Sequence, residues 1–268
     1  VRDIAAQGGY RPDLNARGLI TGRSNTIGII VGSFRSAFYG ELVGDLQALL
    51  RDRGYMGISI PAESYGRGAE AVDALLSHRV DGIISITLNE SEISRITGED
   101  VPFVMYGSYN GPSVYLDEYR GAALAAEHLI SRGGRSYAYI GRTGPDDRRY
   151  AGFCETLRAA NVPDHAAVDV TDSSHAKSGY DAMKTVLGDR VPDSIVCRND
   201  VIAVGVLRAL HEAHIAVPDD AAVTGFDDSD IAAMLPVPLT SIAVNAAQIA
   251  RSLIDSLFSV MEKRTVSP

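Results

Sequence analysis

From residue 27 onward, short apolar runs alternate with longer stretches in which apolar residues recur at helical spacing. The runs predict ten strands: Ile27 to Val31, Gly57 to Ile60, Gly82 to Ile86, Phe103 to Met105, Val114 to Leu116, Tyr137 to Ile140, Ala167 to Val170, Ser194 to Val196, Ala222 to Thr224 and Ser241 to Val244. Between them, Leu42, Val43, Leu46, Leu49 and Leu50 form one helical stripe and Ile249, Leu253, Leu257 and Met261 another. Regular alternation of this kind predicts an α/β chain whose parallel sheets are covered on both faces by helices. Ten strands divide best into two doubly wound parallel-sheet lobes. The chain is expected to enter the second lobe near Gly133 and Gly134 and to return near residue 239, within "PVPLTSIAVN". Residues 25–132 with 240–264 then make the N-terminal lobe, 133–239 the C-terminal lobe, and 1–24 a separate leading segment. In such sheets ligands bind beyond the C-terminal ends of the strands, so the expected ligand cleft lies between the lobes.

Composition narrows the class. With 268 residues and 46% hydrophobic positions the chain can bury a large core, and no run approaches the roughly 18 apolar residues of a membrane span. No membrane partner is expected. Two cysteines, Cys154 and Cys197, are too few for a disulfide framework and have no metal-site spacing, which predicts buried thiols in a reducing, cytoplasmic compartment. A net charge of -9 argues against a nucleic-acid surface over most of the chain. The exception is the leading segment, where Arg2, Arg11, Arg17 and Arg23 outweigh Asp3 and Asp13. The first residue, Val1, is not an initiator methionine, so a leader or a further domain is expected upstream.

Candidate chemistry collects where strands end. After the first strand, Phe38 and Tyr39 open a helix; they either stack on a sugar or base or staple the helix entry. In "RTGPDDRRYAGF" three arginines, Arg142, Arg148 and Arg149, offer planar forks suited to paired hydroxyls, carboxylate or phosphate, against a default of solvated arginine. "RND" and "FDD" each place polar residues between a strand and a helix. One of each set can cap the helix, leaving Asn199 and Asp227 as ligand contacts. His211 and His214 lack a third metal ligand, and "FDDSD" lacks the glycine and terminal glutamate of a calcium loop, so neither predicts a metal site. No dinucleotide fingerprint, phosphate loop or nucleophile set occurs, and neither a cofactor nor catalysis is expected.

Taken together, "GYRPDLNARGLITGRSNTIGIIV", "HRVDGIISI", "VYLDEYRGAALAAEHLISRGGRSYAYIG", "RRYAGFCETL", "DSIVCRNDVIAVG" and "AVTGFDDSDIA" resemble the LacI/GalR transcriptional regulators over nearly the entire chain and in family order. The resemblance implies a type I periplasmic-binding-protein-like core. It also implies that residues 1–14 end a helix-turn-helix DNA-binding domain and that Asn15 to Leu19 form a hinge. Tyr10, Asn15 and Arg17 match positions that touch the DNA backbone or groove, and Leu19 matches a leucine wedge in the minor groove. A short basic glycine-containing segment cannot order alone but can do so on a phosphate surface. Around the effector, Arg149 matches the family's clamping arginine, Asn199 and Asp227 its polar partners, and Phe38 and Tyr39 residues that cover the ligand. Arg120 matches a variable position that helps set the ligand.

The implied function is a ligand-responsive DNA-binding regulator, a repressor, working as a homodimer. Its effector would be a sugar or sugar derivative, with a purine or nucleoside as the second choice. Operator DNA would be reached through the hinge and the upstream helix-turn-helix domain. An exported solute-binding protein of a transporter shares the lobes but has no use for "NARGLITGR"; a sugar or nucleotide enzyme would need a base or nucleophile. Past "SLIDSLFSVMEKRTVSP" a further strand is expected, so the gene product would be longer at both ends.

Overall fold

The computed structural model of the chain describes residues 23–62, 68–88, 92, 96, 101–107, 110–162, 165–188 and 191–266. It divides into two compact units, one of residues up to Phe34 with Tyr39–Tyr115 and Ala246–Pro268, the other of Arg35–Phe38 and Leu116–Asn245. Each carries one five-stranded sheet, and all strand pairs are parallel.

In the first unit the strands are β1 (Thr26–Val31), β2 (Met56–Pro61), β3 (Gly82–Ser85), β4 (Phe103–Tyr106) and β5 (Ser113–Val114), in spatial order β2-β1-β3-β4-β5. Helix α1 (Ala37–Asp52) connects β1 to β2, and α2 (Gly68–Ser77) lies between β2 and β3. Strand β1 is buried along its whole length, as its isoleucines and valine require in a sheet covered on both faces. Leu42, Leu46 and Leu50 of the predicted α1 stripe are completely buried, whereas Val43 and Leu49 are half-buried.

The second unit runs α3 (Glu118–Ser131), β6 (Tyr137–Gly141), α4 (Arg148–Ala159), β7 (His165–Asp169), α5 (Ala176–Val186), β8 (Ser194–Cys197), α6 (Asp200–Glu212), β9 (Ala222–Asp227), α7 (Asp230–Met234) and β10 (Thr240–Ala243). Its strand order is β10-β9-β8-β6-β7, the same winding as the first sheet read from the other edge. The order reverses direction between β1 and β3 in one sheet and between β6 and β8 in the other. One core layer, with Met183, Val206 and Leu210, packs beneath α5 and α6; the other, with Tyr139, Phe153 and Leu157, packs beneath α3 and α4. Helix α8 (Ala246–Val266) then joins the first unit and packs on β3, β4 and β5 through Ala250, Leu253, Ile254 and Leu257.

One device recurs in both units. Asp81, just before β3, accepts from the Ser24 and Asn25 backbone N–H groups at 2.8 and 2.9 Å, anchoring the entry to β1. Asp193, just before β8, accepts from the Arg135 and Ser136 N–H groups at 3.1 and 3.2 Å, anchoring the entry to β6. Burial by itself raises the Asp193 pKa, but these N–H donors and the Ser194 hydroxyl outweigh it and hold the carboxyl below its ordinary value.

The crossing points differ from those expected at 133 and 239: they fall at 115–116 and 245–246. The Gly133-Gly134 pair ends a helix rather than changing lobes. Gly133 takes φ +90° and its N–H bonds the Ile130 carbonyl, a helix stop that glycine favours. Helix α3 packs on β8, β9 and β10, so it belongs with the second sheet. Strand β10 pairs with β9 from Thr240↔Thr224 to Ala243↔Asp227, so the chain leaves only after completing that edge. Cys197 is buried as expected, whereas Cys154 is only half-buried. No described helix is long and apolar enough to cross a membrane.

Helices α5 and α6 approach so closely that a Cβ on Gly205 would lie 1.8 Å from the Ala176 carbonyl oxygen. Overpacking of about 1–3 kcal/mol should therefore exceed the helix-propensity gain of about 1 kcal/mol from alanine. Gly205→Ala is expected to lower the urea midpoint at unchanged slope; an unchanged or raised midpoint would refute the close crossing.

Candidate functional site

Parallel winding brings the starts of α4, α6 and α7 to the same edge of the second sheet, beyond the C-terminal ends of β6, β8 and β9. The place where strand order reverses, between β6 and β8, is where an open parallel sheet leaves a crevice. Arg149, the second residue of α4, is at its centre.

The Arg149 side chain is 11% exposed and almost fully engaged. Its Nε donates to Glu118 Oε1 at 3.0 Å, Nη2 lies 2.8 Å from the same oxygen, and Nη1 donates to the Arg198 carbonyl at 2.6 Å. The guanidinium carbon sits 3.8 Å from the centre of the Phe226 ring, so the plane of the fork is fixed from below. Of its five N–H groups three are committed, which leaves two for a ligand.

Asp227 ends β9 beside it, with its side chain 14% exposed and Oδ1 3.9 Å from Arg149 Nη1. Among the described residues that side chain accepts no hydrogen bond. Burial pushes its carboxyl up to about 7, with Asp200 and Glu118 acting in the same sense against the lowering pull of Arg149 and Arg198. The backbone is also unusual, with φ +106° at Asp227 and +53° at Asp228. A non-glycine residue held there, buried and without a donor, marks strain that the surrounding fold sustains.

Asn199 has a different job from the one expected. Its Oδ1 accepts from the Ile202 N–H at 2.9 Å as the N-cap of α6, and its Nδ2 donates to the Ser173 carbonyl at 3.1 Å. The neighbouring Asp200 is the buried one, accepting from the Ser229 N–H, the Ser229 hydroxyl and the Ser241 hydroxyl at 2.8, 2.8 and 2.6 Å. It ties α6, the start of α7 and β10 together. The Ser229 hydroxyl, so engaged, makes no cap bond to α7.

Arg120 is not brought to the group: it is exposed on α3 and pairs with Glu127 at 2.6 Å. Arg142 is exposed, and Arg148 lies over the Tyr119 ring at 5.8 Å. Phe38 is buried in the first turn of α1, and Tyr39 is half-buried next to it. Tyr10, Asn15, Arg17 and Leu19 lie outside the described residues. Two residues that sequence reading passed over belong to the group. Glu118 looks like any acid in the first turn of a helix, and Arg198 like one more basic residue after a strand. In the first unit, Thr87 stands two residues past β3 as Asn199 stands two past β8, and its hydroxyl is buried without a hydrogen-bond partner among the described residues.

Residues 126–268 match the model of the periplasmic binding protein-like domain family. The chain is 30% identical to the ribose operon repressor of Escherichia coli, with 96% of this chain and 82% of that protein aligned. The chain belongs to the LacI/GalR family of transcriptional regulators. Its structure is similar to a LacI-family regulator from Enterococcus faecium solved with bound ribose, at TM-score 0.81 and 23% identity over 90% of this chain and 92% of that one. It is also similar to a periplasmic binding protein/LacI transcriptional regulator from Alkaliphilus metalliredigens in complex with D-xylulofuranose, at TM-score 0.80 and 25% identity over 89% and 91%. This LacI-family chain is thus a ligand-responsive regulator whose core has the two-sheet periplasmic-binding-protein-like fold.

The buried Asp227 makes a stability prediction for this core. With a folded pKa of about 7 against an unfolded value near 3.9, it binds a proton in the folded chain and not in the unfolded one across that interval. Its contribution therefore falls as pH rises from about 4 to 7, by at most about 1.4 kcal/mol per unit, and levels off above. Asp227→Asn is expected to unfold at higher urea than the unaltered chain at pH 8, with the difference vanishing near pH 4. A difference that does not vary with pH would refute the burial-raised carboxyl.

Proposed function

We propose that the C-terminal edge of the second sheet binds a sugar or uncharged sugar derivative, and that this effector controls operator occupancy by a cytoplasmic repressor that does not turn its ligand over. The reading is carried by Asp227, a largely buried carboxyl on a strained backbone that accepts no hydrogen bond among the described residues, beside an arginine with donors to spare. Vicinal hydroxyls answer both needs, donating to the carboxylate and accepting from the guanidinium. Charge points the same way. Within this group Arg149 and Arg198 are matched by Glu118, Asp147 and Asp227, so these five residues carry no net positive charge to favour a phosphate. The relatives' bound ribose and D-xylulofuranose are neutral sugars, in keeping with this class. Effector control requires different affinities for two states of the core, and a coupling of about 1–3 kcal/mol is typical. Tyr10, Asn15, Arg17 and Leu19 act as the hinge on operator DNA in this reading.

A thermal-shift screen against pentoses, hexoses, disaccharides, sugar phosphates and nucleosides, followed by calorimetry, tests the effector class. Ligand at 100 times its dissociation constant should add about 2.7 kcal/mol of stability. Neutral sugars are expected to register, and Asp227→Asn and Arg149→Met to abolish the response. Because the ionised carboxyl is the acceptor, affinity should be level above pH 8 and fall by up to about tenfold per unit below pH 7. Binding retained in both variants, or confined to sugar phosphates, would sink the assignment.

The homodimer reading rests on an apolar surface near α7, where Ile231, Met234 and Val237 are 41%, 79% and 48% exposed within one short segment. Sedimentation of the unaltered chain is expected to give a dimer and Met234→Glu a monomer. A monomeric unaltered chain would rule this surface out as a stable contact.

A further inference from the structure

Beyond the residues that face the effector, we infer that Arg198 is a positioning residue whose side chain holds the clamp arginine, Arg149, ready before any ligand arrives. This rests on the reading of Arg149 as an effector contact.

The tie is a closed circuit. The Arg149 guanidinium donates to the Arg198 carbonyl at 2.6 Å, and the Arg198 guanidinium pairs with Asp147. Asp147 is the N-cap of α4, accepting from the Tyr150 N–H at 3.0 Å, and Arg149 is the second residue of that helix. Backbone and side chain thus join the two arginines by independent routes. The Arg198 and Asp147 side chains are 16% and 9% exposed.

Three physical consequences follow. A carboxylate cap of low exposure needs a counter-charge, and among the described residues only Arg198 pairs with it. Burial works against the Arg198 charge, but Asp147, helped by Tyr139 and Glu118, more than offsets it and keeps the guanidinium protonated. The Tyr139 hydroxyl, buried without a hydrogen-bond partner among the described residues, faces the same ion pair, and its pKa is raised by burial and then by Asp147 against the lowering pull of Arg198 and Arg149. A buried pair of this kind adds little net stability compared with apolar replacements, so what it contributes here is a single geometry for the first turn of α4. With that turn fixed, Arg149 has one orientation between Glu118 and Phe226, which lowers the ordering cost that a ligand would otherwise bear.

The test compares the unaltered chain with Arg198→Lys and with the double variant Asp147→Asn/Arg198→Met. Asparagine caps a helix as well as aspartate does, and removing both charges strands neither. In the ligand-free protein, proton exchange of the Arg149 Nε–H is followed by nitrogen-15 NMR. It is expected to be slowed at least about tenfold relative to exposed arginines in the unaltered chain and in Arg198→Lys, and to lose that protection in the double variant. With D-ribose as the calorimetric probe, affinity should drop at least about tenfold in the double variant and stay within about threefold in Arg198→Lys. Retained protection in the double variant would overturn the inference, since Glu118 would then hold Arg149 unaided. A double variant that does not fold would overturn it as well, because the pair would be sustaining the fold rather than one side chain. If D-ribose does not bind the unaltered chain, the sugar reading fails for this probe while the exchange rates still decide the role of Arg198.

Discussion

Parallel pairing constrains everything else in this protein. A parallel strand can be followed only by a crossover, and right-handed crossovers send every helix off from the same edge of its sheet. The N-terminal ends of α4 and α6 and the turn into α7 therefore converge at the C-terminal edge of β6, β8 and β9. Orphan backbone N–H groups gather there and call for oxygen acceptors, which Asp147 and Asn199 supply as caps. The same convergence leaves a crevice where strand order reverses. Polar side chains placed for local reasons thus become neighbours across three elements.

Within that crevice the electrostatics are deliberately uneven. Arg149 and Arg198 are enclosed by acceptors, whereas Asp227 is largely buried, accepts no hydrogen bond among the described residues and has an unfavourable backbone. A carboxyl in that state lowers the stability of the free fold at neutral pH and, in the proposed reading, gains most from a hydroxyl-bearing ligand. The layout matches a general trade between stability and function, in which binding groups are held unsatisfied by a rigid surround. The rigidity has visible sources. Asp200 draws two serines onto the base of α6, Phe226 supports the guanidinium, and Gly121 of α3 allows the Phe226 ring within what would be 2.7 Å of a Cβ.

The first unit repeats the second in topology and in its anchoring carboxylates, Asp81 and Asp193. Both precede a strand by one residue and both grip N–H groups at the entry to the neighbouring strand. Such a carboxylate serves the edge opposite the proposed ligand crevice, where chain entries would otherwise present unpaired donors. The repetition appears in "HRVDGIISI" and "RVPDSIVCR", although the two segments share few residues, because backbone geometry asks for an acceptor there and not for a particular neighbour.

Periodicity alone determined the ten strands, the α/β class and the buried stripe of α1, since each is dictated by local alternation of apolar and polar positions. Strand ends also marked where polar side chains gather, and Arg149 and Asp227 stand together there. Tertiary structure decided the rest. Glu118, Arg120 and Arg149 are equally plausible charged residues in sequence, yet a helix turn separates a buried partner from a solvated one. Asn199 took the cap and Asp200 was drawn into the core because either can cap a helix, and only the serines arriving from α7 and β10 favour burial of the aspartate. The chain crossings moved for a similar reason. A glycine pair suits a helix end and a lobe boundary alike, and the choice is made by the packing of α3 on β8 to β10, which lies far along the chain. Local patterns specify elements because their causes are local; partners, charges and boundaries depend on which distant surfaces meet.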